Sequence, residues 1–383
     1  MESKEDEAIP QHPKRSKPTD PLHFESISSR NTVLPMPSLP AELITEILLR
    51  LPVKSLLKFS YKDYSHHGLM FKVASTAILG FKVCSLRALL YHPLTEAFDL
   101  DYPGKNLGDH PRLVGSINGL ICLAIRLLQG FDDLYLWNPS IRKYKKLPSY
   151  TLNLNRRNWE VRLSDFNFGF AFDEFQDDYK VVGIFPVYTY TDSPCRVEVK
   201  IYSLRSNSWR RIGDFQGREL LDHSAKFVNG KLHWLDRGRN IISIDLADEK
   251  WAEVEQPSCF KGCGWLKLGV FGSDLSVFCN YPWTHVDVWV MKDNRIKESW
   301  TKMFTINFPE VPMRYIFCPP ILMSNEGEIL LQFGPLFMKY NRKDDSIRYL
   351  DVTNFAPCLE AEIYVKSLVC PFYSGDPEFN NGG

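Results

Sequence analysis

From about Ile78 to Cys370 the chain is written in short apolar runs broken by polar turns. Val197-Glu198-Val199-Lys200-Ile201 alternates strictly, the pattern of a strand with one face buried. Within this region one unit recurs: an apolar strand, a polar turn, then an aromatic residue on a second short strand. Its clearest copy reads Leu134-Tyr135-Leu136-Trp137-Asn138-Pro139-Ser140-Ile141-Arg142-Lys143-Tyr144-Lys145-Lys146-Leu147-Pro148. Others lead from Leu89-Leu90-Tyr91-His92-Pro93 to Phe98, from Ile201-Tyr202-Ser203-Leu204 to Trp209, from Ile244-Asp245-Leu246 to Trp251, from Val288-Trp289-Val290 to Trp300, and from Met338-Lys339-Tyr340 to Tyr349. Most steps between these aromatic anchors lie near the ~40–50 residues that a four-stranded propeller blade requires. The long step carries a polar insertion, Ser149 to Asp165.

A second marker keeps phase with the first. Asn118-Gly119, Asn229-Gly230 and Asn325-Glu326-Gly327 sit between apolar runs, where Asn and Gly supply the positive φ of a tight hairpin. A hairpin is also expected around Asp173-Glu174-Phe175-Gln176-Asp177-Asp178, between Phe166–Phe172 and Tyr179–Phe185. Ile363 to Val369 has strand character and no anchor after it, so it is expected to close a ring by pairing with the first blade. The expected fold is mainly β: an irregular β-propeller of about six blades over 81–375. An irregular β-sandwich with evenly spaced hairpins is the alternative.

Helical spacing is clear in one place. Pro40 suits a first helical turn, and Leu43, Ile44, Ile47, Leu48 and Leu51 form one apolar stripe. Pro52 stops that helix, and Val53, Leu56 and Leu57 begin another. Two helices this short cannot enclose a core, so their stripe must be covered by something else. The chain's own β-region and a partner's groove are the two candidates. Residues 1–36 are polar, Pro-rich and mixed in charge, a composition that predicts disorder. The basic cluster Lys14-Arg15-Ser16-Lys17 reads as a solvated tail, or as a short nuclear import signal. Residues 61–80 read as a linker, including the solvated pair His66-His67, and 376–383 as a loose tail.

Lys+Arg and Asp+Glu both number 46, so no net charge draws the chain to nucleic acid or a membrane. There is no apolar run of transmembrane length and no apolar leader in the first 35 residues. Nine scattered cysteines suit a reducing cytoplasmic or nuclear compartment. Catalytic patterns are absent: no phosphate loop, no nucleophile elbow, no zincin motif. Cys259 and Cys263 have zinc-ligand spacing, but no second pair accompanies them, so no metal or cofactor is expected. The anchors Trp137, Trp209, Trp251 and Trp300 recur in phase and are read as core. A binding face belongs in the loops that differ between repeats: Ser149–Asp165 with Trp159, Tyr188–Cys195 with Tyr188, Tyr190 and Asp192, and Pro257–Trp265 with Trp265.

Leu39-Pro40-Ala41-Glu42-Leu43-Ile44-Thr45-Glu46-Ile47-Leu48-Leu49-Arg50-Leu51-Pro52-Val53-Lys54-Ser55-Leu56-Leu57-Lys58-Phe59 resembles the first half of a plant F-box. Trp137-Asn138-Pro139, the stretch Gly115 to Leu123 and Ser367-Leu368-Val369 resemble the F-box-associated, kelch-related domain. The resemblance covers most of the chain. It implies that 37–60 binds the Skp adaptor of a cullin–RING (SCF) ubiquitin ligase through Leu39, Pro40, Leu43, Ile47, Leu51, Pro52, Leu56 and Leu57. It further implies that the β-domain selects a target protein and does no covalent chemistry. The family's F-box continues after the Phe59 position with an apolar, Cys- and Trp-containing helix. Here Ser60-Tyr61-Lys62-Asp63-Tyr64-Ser65-His66-His67-Gly68 is polar and turn-like, so the second half is missing. Two other functions fit less of the chain: a stand-alone binding propeller that recruits no ligase, and a propeller oxidase or lyase.

Overall fold

The computed structural model describes residues 64–74, 79–105, 110–126, 132–152, 160–161, 166–188, 194–215, 217, 219–257, 262–282, 284–292, 299–307, 321–324, 326–334, 336–355 and 358–373. They form a six-bladed β-propeller, each blade an antiparallel sheet whose main path has four strands. From the innermost strand outward, blade 2 is His110–Ile117, Leu120–Arg126, Asp132–Asn138 and Lys143–Lys146. Blade 3 is Asn167–Asp173, Asp178–Tyr188, Pro194–Ser203 and Ser208–Asp214, with Glu160–Val161 added beside its second strand. Blade 4 is Lys226–Val228, Lys231–Leu235, Ile241–Asp245 and Trp251–Val254, and blade 5 is Trp265–Phe271, Asp274–Tyr281, His285–Met291 and Trp300–Asn307. Blade 6 is Leu322–Met323, Glu328–Phe333, Leu336–Asn341 and Ser346–Tyr349. Blade 1 joins both ends of the β-region: Cys358–Val365 lies innermost, followed by His67–Ala74, Leu79–Ser85 and Phe98–Leu100.

The core is distributed over the seams. Six apolar clusters each join two neighbouring blades, such as Leu120, Leu136, Phe168 and Phe185 between blades 2 and 3. A blade buries both sheet faces this way, so no blade encloses a core alone.

The repeat has a local cause. In four blades the third strand ends in a side-chain acceptor that holds the turn. Asn138 Oδ1 accepts from Ser140 N, Ser203 Oγ from Ser206 N, Asp245 Oδ1 from Ala247 N, and Asn341 Oδ1 from Lys343 N. Four positions after each of these, Arg142, Asn207, Glu249 and Asp345 take a positive φ. Chain direction reverses, and the aromatic anchor follows on the outer strand. Asn118-Gly119 and Asn229-Gly230 make the expected two-residue hairpins, all four residues having positive φ.

Ring closure is double. Cys358–Val365 pairs antiparallel with His67–Ala74, and Asp351–Thr353 pairs parallel with Leu94–Glu96. The closing strand was expected at Ile363–Val369. It lies earlier, and 366–373 runs on past Asn138, whose Nδ2 donates to the carbonyls of Ser367 at 3.0 Å and Val369 at 2.8 Å. Three separated stretches of family-like sequence thus meet at one point: Asn138, the Ser367–Val369 run, and Gly119, which packs beside Ser367.

Two expectations are corrected. The segment read as linker, 61–80, contains the strand His67–Ala74, with Leu69, Met70 and Phe71 fully buried. Both faces of this strand are covered, so its apolar residues do not alternate and give no period-2 signal. Leu89-Leu90-Tyr91 is the end of a short α-helix, Leu86–Tyr91, rather than a strand. Ser85 caps it by accepting from Ala88 N. The F-box-like helices of 37–60 and the tails 1–36 and 376–383 fall outside the described residues.

Candidate functional site

Antiparallel order sorts the connections onto two ends of the ring. Links between first and second strands, and between third and fourth, open on one end and are mostly tight turns. Links between second and third strands, and from one blade to the next, open on the other. The three loops singled out in the sequence, Ser149–Asp165, Tyr188–Cys195 and Pro257–Trp265, all leave strands at that second end. Chain order does not reveal this grouping; blade topology produces it.

The single residues fare differently. Tyr188 is fully buried at the end of its strand, opposite Pro194 and Glu160, so its ring belongs to the blade and is not an exposed contact. Trp265 is half-buried at the start of blade 5, with the Lys267 ammonium 6.0 Å from its ring centroid. Trp159 and Tyr190 lie outside the described residues, as do all the adaptor-contact positions Leu39, Pro40, Leu43, Ile47, Leu51, Pro52, Leu56 and Leu57.

The same end of the ring frames the mouth of the central channel with charges that the sequence reading missed. Lys226 Nζ of blade 4 stands 4.0 Å from Glu362 Oε2 of blade 1, on the opposite side of the ring. The Arg112 guanidinium donates to Asp132 Oδ2 at 2.7 Å and to the Phe166 carbonyl at 3.4 Å, and Arg126 Nε reaches the other Asp132 oxygen at 3.2 Å. Burial lowers the pKa of Arg112, opposed chiefly by Asp132. Burial also pushes the Asp222 carboxyl above its ordinary range, against the pull of Lys267 and Lys226. One sequence signal was available: His110, Arg112, Lys226, Lys267, Glu360 and Glu362 are polar residues on innermost strands or at their starts, where a fully covered strand would be apolar.

This surface can bind through charge and shape. Among the described residues no group of three or more His, Cys, Asp or Glu is placed to hold a metal. Cys263 is buried, with the Arg239 guanidinium 3.8 Å from its Sγ, and burial pushes the Cys84 thiol up to about 12, which makes it a poor nucleophile. No described helix is long and apolar enough to cross a membrane. The anchors are structural. Trp137 is buried, and Trp209, Trp251 and Trp300 are partly buried against the seam clusters.

The family of F-box associated beta propeller domains matches residues 81–370. An F-box/kelch-repeat protein of Arabidopsis thaliana is 30% identical, the match covering 87% of this chain and 96% of that protein. The F-box protein CPR1 of Arabidopsis thaliana is 27% identical over 87% of this chain and 89% of its own length. Another Arabidopsis thaliana F-box protein is 28% identical over 89% of this chain and 92% of its own.

Proposed function

This chain belongs to the F-box-associated β-propeller family, and on that premise we propose that it is the target-recognition subunit of an SCF-type ubiquitin ligase. Residues 37–60 bind the Skp adaptor through Leu39, Pro40, Leu43, Ile47, Leu51 and their neighbours. The long-connection end of the propeller holds a target protein, and the complex works in the cytoplasm or nucleus. The chain contributes no covalent step. It raises the local concentration of target beside the ubiquitin-charged enzyme.

One observation carries this reading. The described chain enters the ring at Tyr64, on the tight-turn end, and the candidate target loops open on the other end. A recruiting segment and a target surface on opposite ends can be occupied together. The mixed charges at the channel mouth favour a protein target, which can present both signs, over a uniformly charged polymer.

The test is capture of the Skp adaptor by the full-length chain and by the Leu43→Asp/Ile47→Asp variant. Retention by the first and loss by the second supports recruitment. Retention by neither supports the second reading, a binding propeller that does not recruit the ligase; the shortened F-box motivates it.

A further inference from the structure

Where the described chain begins, the propeller presents apolar side chains that are partly exposed. Tyr64, in the single turn Tyr64–His66, packs its ring against Tyr91 at 6.3 Å, and its hydroxyl donates to the Met323 carbonyl at 3.4 Å. Around it, Tyr91 is 42% exposed, Leu94 55% and Met323 39%. These residues come from blades 1 and 6, at the seam where the two chain ends of the ring meet.

We infer that the segment Val53–Phe59 of this same chain docks on the Tyr91–Leu94–Met323 patch, which substitutes for the helix missing from the F-box. Tether length argues for this occupant. Four residues separate Phe59 from Tyr64, and the five Cα–Cα steps across them reach roughly 18 Å even fully extended. Phe59 therefore stays within that radius of the patch, at an effective concentration no separate partner matches. Composition argues for it too. Val53, Leu56, Leu57 and Phe59 are too few to cover one another. Lys54 and Lys58 flank that apolar side at helical spacing, and Glu326 stands exposed in the turn that follows Met323. The docked segment removes Leu56 and Leu57 from the adaptor contacts and leaves Leu39, Pro40, Leu43, Ile47, Leu51 and Pro52 to the adaptor. The inference does not need the adaptor to bind.

Hydrogen exchange on the full-length chain alone tests it. The expected result is slowed exchange across 53–59 in the unmodified chain, relaxed about tenfold or more in Leu94→Glu/Met323→Glu and retained in Leu94→Met/Met323→Leu. Strand amides around Phe71 and Leu330 report whether the propeller stays folded. Should the Glu variant unfold it, a photoreactive p-benzoyl-phenylalanine at position 91 gives the second readout, with adducts expected inside 53–59 of the same chain. Equal exchange in all three proteins overturns the proposal. So does slowing that grows with protein concentration, which would make a second copy the occupant, or slowing that appears only when adaptor is added. Because the assay omits the adaptor, its failure leaves the ligase reading standing, and failure of adaptor capture leaves this result interpretable.

Discussion

Trp209 Nε1 donates a 2.7 Å hydrogen bond to the carbonyl of Pro148, just past the outer strand of the preceding blade. Trp300 does the same to Glu255, also at 2.7 Å, and Trp251 packs tilted against Phe215 with ring centroids 4.7 Å apart. In blades 3, 4 and 5 the recurring aromatic is thus a strap on the outer strand that fastens the exit of the blade before it, whereas Phe98, Tyr144 and Tyr349 at the same position are exposed.

The strap makes a graded prediction. Trp209→Phe keeps most ring contacts with Tyr150 and Tyr202 but loses the hydrogen bond, and should cost about 1 kcal/mol. Trp209→Ala loses the ring as well and should cost about 3 kcal/mol. Urea unfolding checks both, with an unchanged m-value showing that the ring still unfolds as a unit.

The closing segment gives a sharper contrast between two glycines with the same backbone requirement. Gly119 and Gly230 have φ of +86° and +77°, so alanine is strained at either, by about 1 kcal/mol. At Gly230 an added Cβ meets nothing within 4 Å, whereas at Gly119 it would stand 2.6 Å from the Val365 carbonyl and against the Ser367 side chain. Gly119→Ala should therefore destabilise by at least 2 kcal/mol more than Gly230→Ala, roughly the cost of overpacking. Equal melting temperatures for the two variants would mean that the 366–369 run does not lie on that hairpin.

Much of this fold was legible because the anchors and the Asn-Gly turns are local devices. A turn such as Asn138 to Arg142 is specified by residues a few positions apart, and it recurs in phase. The strand His67–Ala74 was not legible, since its partners are Leu79–Ser85 on one side and Cys358–Val365 from the far end of the chain on the other. With both faces covered it carries no alternation. The three long loops were singled out one by one, and only blade topology brings them to one end; Tyr188 was misjudged because a Tyr at a strand end looks the same whether its ring turns inward or outward. The channel charges escaped notice because the ion pair Lys226–Glu362 joins residues from opposite blades.

Acid stability should depend on His233. Its ring is buried, and Nδ1 donates to the Lys226 carbonyl at 3.2 Å. Burial lowers its pKa from 6.5 to about 4, outweighing that hydrogen bond. Between these values the unfolded chain takes up a proton that the folded chain refuses. The stability His233 provides is therefore fully present above pH 6.5 and is lost as pH falls toward 4, by about 3 kcal/mol. Denaturant midpoints at pH 7.5 and 4.5 should move together less in the unmodified chain than in His233→Asn, whose buried amide does not titrate.

The acidic turn of blade 3 holds a buried ion pair, Lys180 Nζ to Asp173 Oδ2 at 2.6 Å. Burial opposes the charged carboxylate, yet Lys180 and the amides of Gln176 and Phe175 hold the Asp173 pKa below its ordinary range. Lys180→Met leaves that carboxylate without its cation and should cost about 3–5 kcal/mol at neutral pH. Adding Asp173→Asn should recover part of this loss, which a double-mutant cycle in urea measures.

The central claim is that one end of the chain recruits the ligase while the far end of the ring stays open for a target. Its most direct test is light scattering on the size-fractionated full-length chain mixed with the Skp adaptor. The account expects a one-to-one complex with the unmodified chain and separate species with Leu43→Asp/Ile47→Asp. Separate species with the unmodified chain, or a complex that survives the double substitution, would contradict it.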